Sequence, residues 1–247
     1  MGAEDGGAAM PAGYAGLPPQ AMRCLRRTGR AANLRLPSRS YLPSKETQES
    51  PMLTVHLRDI NADVVKAWEL AFADTADVHV SRGDIFEAEA DAVVSPANSF
   101  GFMDGGIDLL YSKFFGWTLQ TDLQAVIAKQ HHGELPVGQA AIVATGHDFI
   151  PFLVSAPTMR VPSDISATVN VYLAFRAALI AVLAHNALAK APIRTLLAPG
   201  LGTGIGAVAP AAAARQMRAA YDAIIRGRGL DGRGARVILR QHHEMLS

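Results

Sequence analysis

From Met52 onward the chain alternates between short, β-branched apolar runs and longer stretches of helical period, and that alternation restricts it to a layered α/β architecture. LTVHL (53–57) reads as a strand, and Asn61 caps a following helix in which Val64, Val65, Trp68 and Phe72 share one face. DVHVS (77–81) and DAVVSP (91–96) are two further strands, the second apolar enough to be buried on both faces. One helix starts near Gly106, and another between Trp117 and His132 is closed by Gly133. AAIVAT (140–145) and FLVSAP (152–157) form a hairpin around Gly146-His147-Asp148. A buried helix (168–184), the strand RTLLAP (194–199), a glycine loop (200–206) and a last helix opened by Pro210 and closed by Gly227 complete the series. That last helix turns Met217, Tyr221 and Ile224 inward, and the tail segment ARVIL (235–239) reads as an edge strand. No internal repeat is present.

The segment PGLGTGIGAVAP (199–210) places glycines at 200, 202, 204 and 206, directly after a buried strand and directly before a helix. Glycine lets backbone amides approach a ligand without a Cβ in the way. A helix N-terminus adds unpaired N–H groups and positive partial charge, which together suit a phosphate. A tight strand-to-helix turn is the plainer reading, but four alternating glycines exceed what one turn needs. A P-loop is excluded because no Gly-Lys-Ser/Thr occurs in the segment. Gly204, Gly206 and Ala209 satisfy the dinucleotide fingerprint only loosely, the loop follows the last clear strand, and Asp222 falls inside the helix. A nicotinamide-dependent oxidoreductase is therefore the weakest of three functional readings.

Two other segments carry polar groups at strand ends. In DAVVSPANSFGFMDGGID (91–108) a hydrophobic strand runs to Asn98, then a loop holds Gly101, Gly105 and Gly106, and Asp108 stands at a helix start. Asn98 both donates and accepts, as sugar hydroxyls require. Asp108 either caps its helix or orients a water in a cleft shared with the second glycine loop. In SRGDIFEAEADAVV (81–94), Asp84 occupies a turn between strands, where aspartates are usually structural.

Together these segments resemble the macro domain family, which binds ADP-ribose. The pattern is a strand with Gly-Asp-Ile/Leu, a spacer, Asp-Ala-Ile/Val-Val-Asn-Ala-Ala-Asn, and a glycine-rich loop ending in Val-Asp. The chain has Gly83-Asp84-Ile85, Asp91-Ala92-Val93-Val94-Ser95-Pro96-Ala97-Asn98 and Gly105-Gly106-Ile107-Asp108. Pro199 through Ile205 matches the second family loop, with Gly202-Thr203-Gly204 at its centre. The resemblance spans residues 53 to 226. It implies a three-layer α/β/α fold with a mixed, mostly parallel sheet. It also implies that Asp84 accepts the adenine amine, with the Ile85 amide close by. The amides of Gly105, Gly106, Ile107 and Asp108, and of Gly202, Thr203, Gly204, Ile205 and Gly206, would clasp the diphosphate. Asn98 would hold the distal ribose, and Asp108 would position or deprotonate the attacking water. No cofactor or metal is implied.

Three departures sit at the distal-ribose end. Ser95 replaces the first asparagine of Asn-Ala-Ala-Asn, Phe102-Met103-Asp104 interrupts the glycine run, and Gly206 stands where the family often has an aromatic. They leave two readings in competition: a hydrolase releasing ADP-ribose from protein, nucleic acid or a small metabolite, and a reader that binds ADP-ribose or an ADP-ribosylated partner without cleaving it. Asp104, four residues before Asp108, is a candidate to share proton transfer, although a solvated loop aspartate is the plainer reading.

Composition bounds what remains. The net charge is +1, from 23 basic and 22 acidic residues, so no global field draws the chain to nucleic acid or an anionic membrane. The single cysteine, Cys24, allows neither an internal disulfide nor a cysteine zinc cluster. The adjacent pairs His131-His132 and His242-His243 diverge on any regular element and make poor metal ligands. His147 lies in a turn, and Arg160 is placed either to touch the ligand or to pair with a surface carboxylate. Val169 to Ala184 falls short of the roughly 20 apolar residues a bilayer span needs and carries Arg176. A cytoplasmic protein is the expectation. Residues 1–51, rich in Gly, Ala, Pro, Ser and Arg, read as a disordered extension or an upstream mis-start, with 52–247 as the domain. Oligomeric state leaves no sequence signal.

Overall fold

The computed structural model describes residues 53–228 and 234–247; the expected extension over 1–51 lies outside the described residues. Six strands, β1 (Thr54–Asp59), β2 (Val78–Arg82), β3 (Ala92–Ser95), β4 (Ala141–Ala144), β5 (Phe152–Ser155) and β6 (Thr195–Ala198), form one sheet in the order β2-β1-β6-β3-β5-β4. Four of the five pairings are parallel; β4 alone runs against β5, as the hairpin spacing required. The sheet is therefore mixed and mostly parallel, the class expected from the alternation of elements.

Helices α1 (Ala62–Ala71), α2 (Gly106–Phe115), α3 (Thr118–His131), α4 (Asn170–Leu188), α5 (Pro210–Ile224) and α6 (Ala235–Leu246) complete the described elements. Strand side chains alternate between faces, so β1 sends Val55 and Leu57 to one side and β6 sends Leu196 with them. There they meet Trp68, Phe175, Leu179 and Met217 from α1, α4 and α5. On the opposite face Val93, Leu153 and Leu197 pack with Tyr111, Leu119, Leu123 and Ile127 from α2 and α3. Two separate apolar layers thus enclose the sheet, and each fully buried Leu or Ile contributes about 1.5–3 kcal/mol.

Local signals set the element ends. Asn61 Oδ1 accepts the Asp63 amide at 2.9 Å and caps α1. His132, at φ 54°, and Gly133, at φ 92°, close α3 in the left-handed region. α4 spans 19 residues with a mean hydropathy of 1.6 over its most apolar window, long and apolar enough by length and composition to cross a membrane. Within this fold it turns Val171, Ala174, Phe175, Ala178, Leu179 and Val182 into the core.

The tail departs from expectation. Residues 235–239 open helix α6 rather than an edge strand. ARVIL is too short to separate the two periods, and Val237, Gln241 and Met245, three residues at a spacing of four, give a helical stripe in an element that packs on α5. The buried Gln216 amide donates to Met245 O at 3.2 Å, and the Arg215 guanidinium donates to Glu244 O at 3.2 Å.

Candidate functional site

In a parallel sheet the carboxyl ends of neighbouring strands open on the same edge, and a crevice forms there when the connections diverge. Here β1, β6, β3 and β5 all end on that edge. Residues at and just beyond their ends line one cleft of about 330 Å³: Asp59, the last of β1, with Ile60, Pro96 to Asn98 after β3, and Thr158 and Met159 after β5. The two glycine turns complete it with residues 104–108 and 202–206.

The first turn is organised by Asn98. Its Oδ1 accepts the amides of Phe100 at 3.0 Å and Phe102 at 3.3 Å, and its Nδ2 donates to Phe102 O at 2.7 Å. The segment that interrupts the glycine run splits in two directions. Met103 is fully buried, its amide donating to Gln120 Oε1 and its carbonyl accepting from Ser112 Oγ, whereas Phe102 stays half exposed at the cleft rim. Met103 therefore serves the core and leaves the cleft open. Gly106 adopts φ 56°, and α2 begins there with no side-chain cap. Among the described residues no partner meets the amides of Gly105, Gly106, Ile107 or Asp108.

The second turn is folded on itself by close approach. A Cβ on Gly206 would lie 2.6 Å from Gly202 O, and one on Gly200 would lie 2.6 Å from Thr203 Oγ1. The Val208 amide donates to Gly202 O at 3.0 Å and the Ala207 amide to Gly204 O at 2.9 Å. The amides of Gly202, Thr203, Gly204, Ile205 and Gly206 find no partner among the described residues. Asp59 holds the turn from the neighbouring strand, its Oδ2 accepting the Gly200 amide at 3.0 Å and its Oδ1 the Asn61 amide at 2.8 Å.

The charged side chains lining the cleft are Asp59, Asp104 and Asp108, with no cation among the lining residues. An anion held here would rest on backbone N–H groups and the α2 N-terminus rather than on lysine or arginine. Asp108 is 7% exposed and accepts the Ser95 hydroxyl at 2.6 Å on Oδ1. Burial pushes its carboxyl up to about 6, with the Ser95 hydrogen bond pulling the other way. Tyr111, one turn along α2, donates to Val94 O at 3.1 Å. Burial first, then the nearby Asp108 and Asp59 carboxylates, raise its phenol above the usual range.

Of the residues singled out in the sequence, Asn98, Gly105, Gly106, Ile107, Asp108, Gly202, Thr203, Gly204, Ile205 and Gly206 come together in this cleft. Asp84 and Ile85 do not line it. Asp84 Oδ1 caps a 3-10 turn, Ile85–Glu87, through the Phe86 amide at 3.1 Å, and Ile85 is buried beside α2 and α3. Arg160 pairs twice with Glu134, at 2.8 and 3.0 Å. The His147 ring packs against Phe114 and Phe149. Sequence reasoning passed over Asp59, Ile60, Thr158 and Met159, because each reads as an ordinary strand end.

A family model described as "Macro domain" matches residues 94–217, half of the chain. An uncharacterized protein of Aquifex aeolicus is 33% identical over 141 residues, which cover 57% of this chain and 78% of that one. An uncharacterized protein of Aeropyrum pernix is 31% identical over 164 residues, 66% of this chain and 78% of the relative. Among solved structures, the macrodomain of Mycobacterium tuberculosis DarG aligns with a TM-score of 0.47 at 22% identity, over 58% of this chain and 88% of that one. An Oceanobacillus iheyensis macrodomain with ADP aligns with a TM-score of 0.48 at 18% identity, over 66% and 86% of the two chains. On the family match and the sequence relatives, this chain belongs to the macro domain family.

Proposed function

We propose that the cleft binds ADP-ribose and that the chain hydrolyses the bond between its distal ribose and a modified partner. The observation that carries this reading is the pair of turns, 105–108 and 202–206, whose unpartnered amides line one cleft. Nine N–H donors on two turns, with no cation among the residues lining the cleft, suit a diphosphate held by backbone dipoles. Beside them stands a single buried carboxyl, Asp108, whose affinity for a proton is tuned close to neutrality.

Ionised Asp108 accepts a proton from a water as the water oxygen bonds to the anomeric carbon. The bond from that carbon to the partner oxygen breaks, and where the linkage is an ester the carboxylate leaves as an anion without needing a proton. Asp108 then returns its proton to solvent. The protonated form cannot act in this way, so turnover rises with pH through about 6.

The test is turnover of ADP-ribosylated protein, nucleic acid and small-molecule esters alongside calorimetry with ADP-ribose. Wild-type protein releases free ADP-ribose, and Asp108→Ala loses turnover by roughly 10²–10⁴-fold while binding survives. Binding without release from any linkage selects the reader, which one observation favours: the Asn98 side chain is committed on both atoms to its own loop. Absence of binding rejects both.

A further inference from the structure

We propose that Ser95 is the positioning residue for Asp108, fixing one carboxylate oxygen so that the other is presented to the cleft. The inference rests on the hydrolytic reading of the site and concerns the first position of the segment that resembles Asn-Ala-Ala-Asn, where this chain has Ser95.

Ser95 is the last residue of β3 and is fully buried. Its hydroxyl donates to Asp108 Oδ1 at 2.6 Å across two elements, and among the described residues it takes part in no other side-chain hydrogen bond. A hydroxyl donor at that separation from a buried carboxylate is a short, charge-assisted bond. Among the described residues Asp108 Oδ1 has no second donor, and Oδ2 has no hydrogen bond while remaining reachable from the cleft that Asp108 lines. The two oxygens are therefore unequal: one is tied to the sheet, the other is free to take a proton from water. A serine is short enough to reach the carboxylate from the strand without entering the cleft, where it is absent from the lining.

No other side chain does this work. The charged and titratable groups around Asp108 are Asp59 at the end of β1, Asp104 in the preceding loop and Tyr111 on α2 itself. The two aspartates are like charges, and Tyr111 directs its proton to Val94 O. β6 and β5 bring only neutral residues to the cleft. Ser95 thus supplies the side-chain hydrogen that favours the ionised carboxylate, opposing burial.

The experiment compares wild type, Ser95→Ala and Ser95→Cys, the last close in volume and a weaker donor. Two readouts are taken: the Asp108 carboxyl titration by carbon-13 NMR, and the pH profiles of kcat and KM on a cleaved ester. In Ser95→Ala the titration midpoint and the acid limb of kcat move upward together. At pH 6, kcat falls roughly tenfold with KM unchanged, part of what a placed proton acceptor contributes. Ser95→Cys falls between the two and keeps the wild-type fold by circular dichroism. A titration midpoint that stays in place in both variants, or a loss of kcat equal at every pH, overturns the proposal. If wild type cleaves nothing, the hydrolytic reading fails by itself, and the NMR titration still decides whether Ser95 controls Asp108.

Discussion

Asp108 binds its proton more tightly in the folded chain than an ordinary aspartate, about 6 against 3.8, and this ties the site to stability. Below 3.8 both folded and unfolded forms are protonated, and nothing is lost. Between 3.8 and about 6 the unfolded form ionises first, so stability falls as pH rises. Above that window the full cost of burying the charge remains, on the order of 2–3 kcal/mol at about 1.4 kcal/mol per unit. Asp108→Asn keeps an oxygen for Ser95 and removes the charge, so it is expected to stabilise the protein by that order above pH 6 and hardly at all at pH 4. Urea midpoints measured at several pH values check this; a gain equal at pH 4 and pH 7.5 would refute the assignment of burial as the cause. The sequence made Asp108 legible through its spacing from Asn98. It gave no sign of the Ser95 contact, which depends on how far α2 sits from the end of β3.

The glycine turn and the α5–α6 contact differ in how openly the sequence announces them. Four glycines before Pro210 mark the turn at once, and the geometry separates their roles. Gly206→Ala would set a methyl 2.6 Å from Gly202 O, a backbone atom that cannot swing away, whereas Gly204 faces open space. Gly206→Ala is expected to lower the melting temperature and weaken ADP-ribose binding together, and Gly204→Ala to leave the melting temperature within about 1 °C. Calorimetry and thermal melts on the pair decide it, and equal melting temperatures would remove the close-approach argument. By contrast, α6 is not announced, because its first five residues, 235–239, are too few to separate a strand period from a helical one. Gln216 is the hinge of that region: its Oε1 accepts the Tyr172 amide at 3.0 Å, and its Nε2 donates to Thr168 O and Met245 O at 2.9 and 3.2 Å. Gln216→Leu strands those three groups, one buried and two partly buried, and should cost roughly 2–4 kcal/mol in urea unfolding, since each unsatisfied buried group costs about 1–3 kcal/mol. A cost below 1 kcal/mol would mean that the tail and the α4 N-terminus repack around the loss.

Across the whole molecule, strand order is what the linear pattern conceals. The runs at 53–57 and 77–81 looked alike, yet β1 is interior, between β2 and β6, while β2 is an edge. That order brings Asp59 and Ile60 to the cleft, although the matched family stretch begins only at residue 94. β1 and α1 therefore act as part of the domain's core and of its site. Val55, Leu57 and Trp68 are fully buried, Trp68 directs its indole N–H at Met217 Sδ at 3.4 Å, and Asp59 holds the second glycine turn through Gly200. Removing residues 53–82 would expose the edge of β6 and the apolar faces of α5 and of the sheet, which is the surface that drives aggregation. A chain beginning at residue 83 is expected to lack a cooperative thermal transition and to bind no ADP-ribose. The point variant Asp59→Ala leaves the core intact and frees the Gly200 amide, so it should keep the transition while weakening binding roughly tenfold, the scale of one or two lost hydrogen bonds. Calorimetry with ADP-ribose and melting curves on both proteins separate the two contributions. A truncated chain that still melts cooperatively would show that β1 is an accessory to the sheet, and unchanged affinity in Asp59→Ala would show that the second turn holds its shape without the strand beside it.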